Sequence, residues 1–160
     1  MTYVDAMIAR YQSKGLLLDS NLLLLQLVGS IEPALIGRAK LSAFDIDQFR
    51  LLVRLISMFR RQVTTAHVLA EVSNLVNDFH EAGKLAIWTA FVQHLEVVEE
   101  QSLSSYVVAR RPEFRYLGLT DTALSTLAQG FLVVSNDGRM VNQLRAIKLD
   151  ALKWVEILGI

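Results

Sequence analysis

The chain has 160 residues, of which 52% are hydrophobic and 20% charged, and its 16 basic and 16 acidic side chains leave no net charge. Such a chain is long and apolar enough to fold around one core rather than stay disordered. Its charge balance provides no global field to draw in nucleic acid, so any anion site must be a local patch. The absence of cysteine excludes disulfides, thiolate metal sites and cysteine nucleophiles, and fits a cytoplasmic setting. The first residues lack the basic-then-apolar order of a signal peptide, and no uncharged apolar run is long enough to span a membrane.

In chain order, residues 4–12 are expected to form a short amphipathic helix with Val4, Met7, Ile8 and Tyr11 on one side. The run LLLD at 16–19 suits a strand buried on both faces. Ser20 or Asn21 can then cap a helix over 22–29 that Gly29 stops. Residues 30–44 form a connection with a helical turn after Pro33. A strong helix follows over 45–59, with Ile46, Phe49, Leu52, Val53, Ile56 and Phe59 as its apolar stripe. QVTT at 62–65 is a second buried strand. The helix 66–79, capped by Thr65, turns Val68, Leu69, Val72, Leu75, Val76 and Phe79 to the core. Residues 84–107 read as mostly helical with breaks around Ser102–Ser105, and RRPEFRYLG at 110–118 as a loop or broken helix. Residues 120–129 form a helix capped by Thr120 and ended by Gly130. FLVVS at 131–135 is a strand, NDG at 136–138 a turn, and 139–146 a helix. The tail 147–160 is ambiguous between strand and helix. Apolar strands alternating with helices give an α/β fold whose mostly parallel sheet is covered on both faces.

In such a sheet, ligand sites lie beyond the carboxyl ends of the strands. Asp19 ends the first strand inside the apolar stretch LLLDSNLLL, Asp137 follows the strand 131–135, and Asp121 lies in the first turn of the helix leading into that strand. Glu71, inside the helix after QVTT, flanks the stripe formed by Val68 and Leu75 and can point toward the sheet's upper edge. Four converging acids raise one another's pKa, and a hard cation such as Mg²⁺ or Mn²⁺ is their natural compensation. Each acid also has a purely local explanation. Asp19 and Asp137 can be cap or turn residues, Asp121 suits the start of a helix dipole, and Glu71 can be a half-exposed helix residue. His67, His80 and His94 form no HExxH pair, and neither GxGxxG nor GxxxxGK[ST] occurs.

The order and setting of these acids resemble those of the PIN-domain nucleases, the family that includes the VapC-type toxins. LLLDSNLLL resembles the family's opening strand, with Asp19 as first metal-site acid and Asn21 as its polar helper. TTAHVLAEVSNLV resembles the second motif through Glu71, LGLTDTALSTLA the third through Asp121, and VVSNDGRM the fourth, with Ser135 in place of the usual Thr and Asp137 as carboxylate. The resemblance implies a three-layer PIN-like fold over 1–160, with an N-terminal helical extension and a helical insertion at about 30–61. It further implies hydrolysis of RNA phosphodiester bonds with Mg²⁺ or Mn²⁺ bound by Asp19, Glu71, Asp121 and Asp137. Asn21, Asn74 and Ser135 would hold carboxylates or ligated waters. An antitoxin partner and a homodimer are expected on the same ground.

The RNA must be held against the acids, and Arg110, Arg111, Arg115 and Arg139 are the candidate phosphate contacts, with Tyr116 able to stack on a base. RRPEFR can equally be a solvated loop. Two other accounts compete with the ribonuclease: a catalytically silent PIN-like interaction module, and a phosphatase of the haloacid-dehalogenase type. The second is disfavoured because Asn21 stands where that class resembles Asp-x-Asp.

Overall fold

A computed structural model of the chain describes residues 1–159. Five strands form one parallel sheet: β1 (Leu16–Leu18), β2 (Gln62–Thr65), β3 (Glu99–Gln101), β4 (Leu132–Ser135) and β5 (Ala151–Lys153), in the order β3-β2-β1-β4-β5. The helices are α1 (Tyr3–Tyr11), α2 (Ser20–Ile31), α3 (Ile46–Ser57), α4 (Ala66–Val76), α5 (Glu81–Leu95), α6 (Ser105–Ala109), α7 (Phe114–Leu127), α8 (Gly138–Ala146) and α9 (Trp154–Ile157). They flank the sheet to give the expected three layers. No described helix is long and apolar enough to cross a membrane.

The chain runs outward from β1 through β2 to β3 and then returns to lay β4 on the other side of β1. The strand order therefore reverses between β1 and β4, the place in an open parallel sheet where a crevice is expected at the strands' carboxyl ends. The β1–β4 register pairs Leu18 with Val134, and the Asp19 N–H continues the ladder to the Val134 carbonyl at 3.1 Å. Leu16, Leu17 and Leu18 are buried, as are Leu22 to Leu25 on α2. Strand and helix together surround Asp19 in sequence with buried apolar side chains. Helix α2 is covered on nearly every side, by α3, α4 and α5 in addition to the sheet.

Several local expectations are corrected. Asp19 caps α2, its Oδ1 accepting the Leu22 N–H at 2.8 Å, whereas Ser20 and Asn21 already lie in the helix. Helix α2 runs through Gly29 to Ile31. Gly29 is there for packing, since a Cβ would run into the ring of Phe49 on α3. Ile46 and Val53 of α3 are exposed, while Leu52 and Leu55 are its buried residues. Residues 99–101, expected within a helix, form the edge strand β3. Its residues Glu99, Glu100 and Gln101 carry no apolar signal, because the strand pairs on one side only. The break before the helix bearing Asp121 comes at Gly118 (φ 74°, ψ −175°), two residues ahead of the expected Thr120 cap. The ambiguous tail contains both β5 and α9.

Gly29→Ala should lower stability by about 1–3 kcal/mol, because the added methyl must displace the Phe49 ring in a packed helix contact. Urea denaturation of the variant beside the parent checks this, and an unchanged midpoint would count against the α2–α3 packing described.

Candidate functional site

The four acids expected from the sequence lie on different elements. Asp19 stands at the β1–α2 junction and is buried. Its Oδ1 is engaged by Leu22, and its Oδ2 accepts from the Ser135 hydroxyl and, at 2.7 Å, from the Asn136 N–H. Ser135 Oγ in turn accepts the Asp137 N–H at 2.9 Å, so one hydroxyl links both strand ends. Asp137 caps α8, its Oδ1 accepting the N–H groups of Arg139 and Met140 at 2.8 and 3.2 Å. Asp121 lies three residues beyond the Gly118 break on α7 and is half-buried. Glu71 is exposed on α4, whose first turn is fixed by the Thr65 hydroxyl accepting the Val68 N–H at 3.2 Å.

The local explanations for Asp19 and Asp137 therefore hold, since both cap helices. Those roles leave unexplained why four carboxylates share one field. Burial pushes the Asp121 carboxyl up from its ordinary 3.8 to about 7, and Glu71, Asp137 and Asp19 each push in the same direction. Burial also raises Asp19, opposed by the Ser135 hydroxyl and the surrounding backbone N–H groups. Carboxylate oxygens are the donors that Mg²⁺ and Mn²⁺ prefer, so the chemistry of the donor set suits such an ion. The arrangement does not close on one: among the described residues, no three His, Cys, Asp or Glu side chains form a group that could hold a metal ion.

The supporting residues divide. Ser135 holds Asp19 as expected. Asn21 is half-buried and Asn74 exposed, and neither side chain hydrogen-bonds to any of the four acids among the described residues. Arg111 is tied to Glu113 at 3.2 Å, and Arg110 donates to the Tyr106 hydroxyl at 2.7 Å. Arg115 and Arg139 are exposed. His67 meets Ser105 Oγ at 2.8 Å, which ties the start of α6 to the first turn of α4. Four buried hydroxyls have no hydrogen-bond partner among the described residues, those of Ser20, Thr64, Thr122 and Ser125. Their signal was present in TDTALSTLA, where Thr122 and Ser125 fall at helical spacing on the apolar face.

Compared with models of known protein families, with curated proteins and with solved structures, the chain matches none of them. What the site does must therefore be read from its side chains.

Two outcomes test the site as built. A carboxyl whose folded pKa is raised favours the native state fully below its unfolded value, and that contribution is lost as pH rises through the folded value. Stability should thus fall between about pH 4 and pH 7 as Asp121 ionises. Asp121→Asn should flatten this slope in urea denaturation followed across that range. Asp19→Ala should cost roughly 2–4 kcal/mol, because it removes the α2 cap and leaves the Asn136 N–H and Ser135 hydroxyl unsatisfied. Thermal unfolding by circular dichroism reads that loss.

Proposed function

We propose that the crevice belongs to a PIN-like module that hydrolyses RNA phosphodiester bonds with a divalent cation held by Asp19, Glu71, Asp121 and Asp137. One observation carries this reading: Asp19 and Asp137, from separate elements, are joined through the Ser135 hydroxyl at the carboxyl ends of β1 and β4, where the strand order reverses; burial first, and then Glu71, Asp137 and Asp19, raise the Asp121 carboxyl beside them. Acids serving only as caps have no need to share a field, and their mutual repulsion is a cost that a bound cation would remove. The parallel three-layer architecture and the position at the strand-order reversal support the same reading.

When bound, Mg²⁺ or Mn²⁺ would neutralise charge on the phosphate and acidify a water for attack at phosphorus. The chain's own part is to hold and tune the carboxylates. Ser135 and the Leu22 and Asn136 N–H groups fix Asp19, and the first turn of α8 fixes Asp137. Burial and the neighbouring acids hold the Asp121 carboxyl well above the usual carboxylate range, so its charge is the one most open to stabilisation by a cation. If the protein is a toxin, exposed apolar side chains such as Leu85, Val92 and Val97 offer contact surface for an antitoxin or a second copy.

A specific observation favours a second reading, a catalytically silent PIN-like interaction module: the acids do not close into a cation-holding group among the described residues. The resting geometry, taken by itself, sides with this second reading. Cleavage of a mixed RNA pool with MgCl₂ or MnCl₂, beside an EDTA control, decides between them. The hydrolase reading expects cleavage only with the cation and a loss of about 100-fold or more in Asp121→Asn and in Asp19→Asn. No cleavage under any of these conditions would leave the silent module as the better account, and cleavage that survives both EDTA and the substitutions would overturn the four-acid metal mechanism.

A further inference from the structure

A cleft of ≈ 210 Å³ lies between α1 and α3, and none of the four acids lines it. Asp5, Ile8 and Ala9 face it from α1, and Leu51, Arg54 and Leu55 from α3. Both sets have the i, i+3, i+4 spacing that puts residues on one helix face. Ile157 of α9 adds to the lining; it and Leu55 are buried, and Ile8 and Leu51 are partly so. The walls are thus apolar, and the two charged side chains among them have opposite sign. Among the described residues the Arg54 side chain makes no ion pair and donates no hydrogen bond, and only its backbone carbonyl is engaged, by the Ser57 hydroxyl at 2.7 Å. Asp5 is half used. Its Oδ2 accepts from the Thr2 N–H and hydroxyl, each at 2.8 Å, whereas Oδ1 accepts from no described residue. The Thr2 bonds hold the Asp5 carboxyl below its ordinary range, so it is charged at neutral pH. The volume falls below the ~300–1,000 Å³ of drug-sized pockets, so a small metabolite suits it.

We propose that this cleft binds a free α-amino acid with an apolar side chain, its carboxylate on the Arg54 guanidinium, its ammonium on Asp5 Oδ1 and its apolar arm against Ile8, Leu51, Leu55 and Ile157. The site is separate from the acid crevice and owes nothing to the nuclease reading. An uncharged apolar molecule would leave both Arg54 and Asp5 without a partner. A simple carboxylate gains Arg54 but meets the negative charge of Asp5, and a simple amine gains Asp5 but meets Arg54. An α-amino acid carries both charges on one carbon beside an apolar arm, and so answers both side chains and the walls together. The guanidinium fork takes a carboxylate through two parallel hydrogen bonds. Arg54 is exposed, which keeps the ion pair modest and leaves a large share of the affinity to burial of the arm. A bound molecule would tie α1 to α3 and α9, and so favour the folded state.

Proton–nitrogen NMR titration of the full chain with L-leucine and with L-phenylalanine tests the site. At least one of the two should give saturable shifts confined to the amides of α1, α3 and α9, with a dissociation constant of about 1 mM or tighter. Glycine, which has no apolar arm, should give none. The analogues lacking the ammonium (4-methylpentanoate and 3-phenylpropanoate) and those lacking the carboxylate (3-methylbutylamine and 2-phenylethylamine) should bind at least about tenfold more weakly than the parent amino acid. Arg54→Gln, at an exposed position, should weaken binding about tenfold or more without moving the melting temperature. Ala9→Phe, also at an exposed position, fills the cleft with a ring and should abolish binding. No saturable shift with either amino acid, shifts centred on other elements, or analogues that bind as tightly as the amino acid overturn the inference. Unchanged affinity in folded Arg54→Gln overturns it as well, and this variant carries the test should Ala9→Phe fail to fold.

Discussion

The hydrogen bond from the Ser135 hydroxyl to the Asp19 carboxylate holds the functional end of this molecule together. It joins the tips of β1 and β4, the two strands between which the sheet's order reverses, and the same Ser135 oxygen accepts from Asp137. One hydroxyl thereby joins the Asp19 carboxylate to the Asp137 backbone. The carboxylate itself is buried, and burial alone would drive it to the neutral form. Ser135 and the Leu22 and Asn136 N–H groups oppose that tendency, so the charge is sustained by donors rather than by a basic partner.

The apolar surroundings serve the polar site. Leu16–Leu18 and Leu22–Leu25 are packed on all sides, so the β1–α2 junction has almost no freedom to adjust around Asp19. Rigidity of this kind limits how far the Asp19 carboxylate can move away from its neighbours. Glu71 and Asp137 are both exposed, but Asp137 is held by its cap bonds whereas the Glu71 side chain makes no hydrogen bond among the described residues. A cleft with two carboxylates pinned by their hydrogen bonds, one half-buried and one free suits capture of an ion or partner that arrives from solvent.

Much of this could be read in the sequence, for identifiable reasons. The parallel sheet was legible because β1, β2 and β4 are buried on both faces and so appear as short apolar or β-branched runs. The four acids were legible because three of them sit next to those strands or to a helix leading into one. Strand β3 was hidden because its residues Glu99, Glu100 and Gln101 form an edge, where pairing by backbone needs no apolar side chain. Gly29 was misread because a glycine that admits a neighbouring ring looks the same in sequence as one that ends a helix. Whether the acids close on an ion was beyond reach, since that depends on side-chain separations set by elements as distant in sequence as β1 and α8.

The central claim is that the four carboxylates behave as one coupled group instead of four separate caps and surface residues. Carbon-13 NMR of the side-chain carboxyls, following Asp121 through a pH titration in the parent and in Glu71→Gln, measures this directly. The account predicts a midpoint near 7 for Asp121 in the parent, and a clearly lower one when the Glu71 charge is removed. An Asp121 midpoint near the ordinary 3.8, or one that ignores the loss of Glu71, would contradict it.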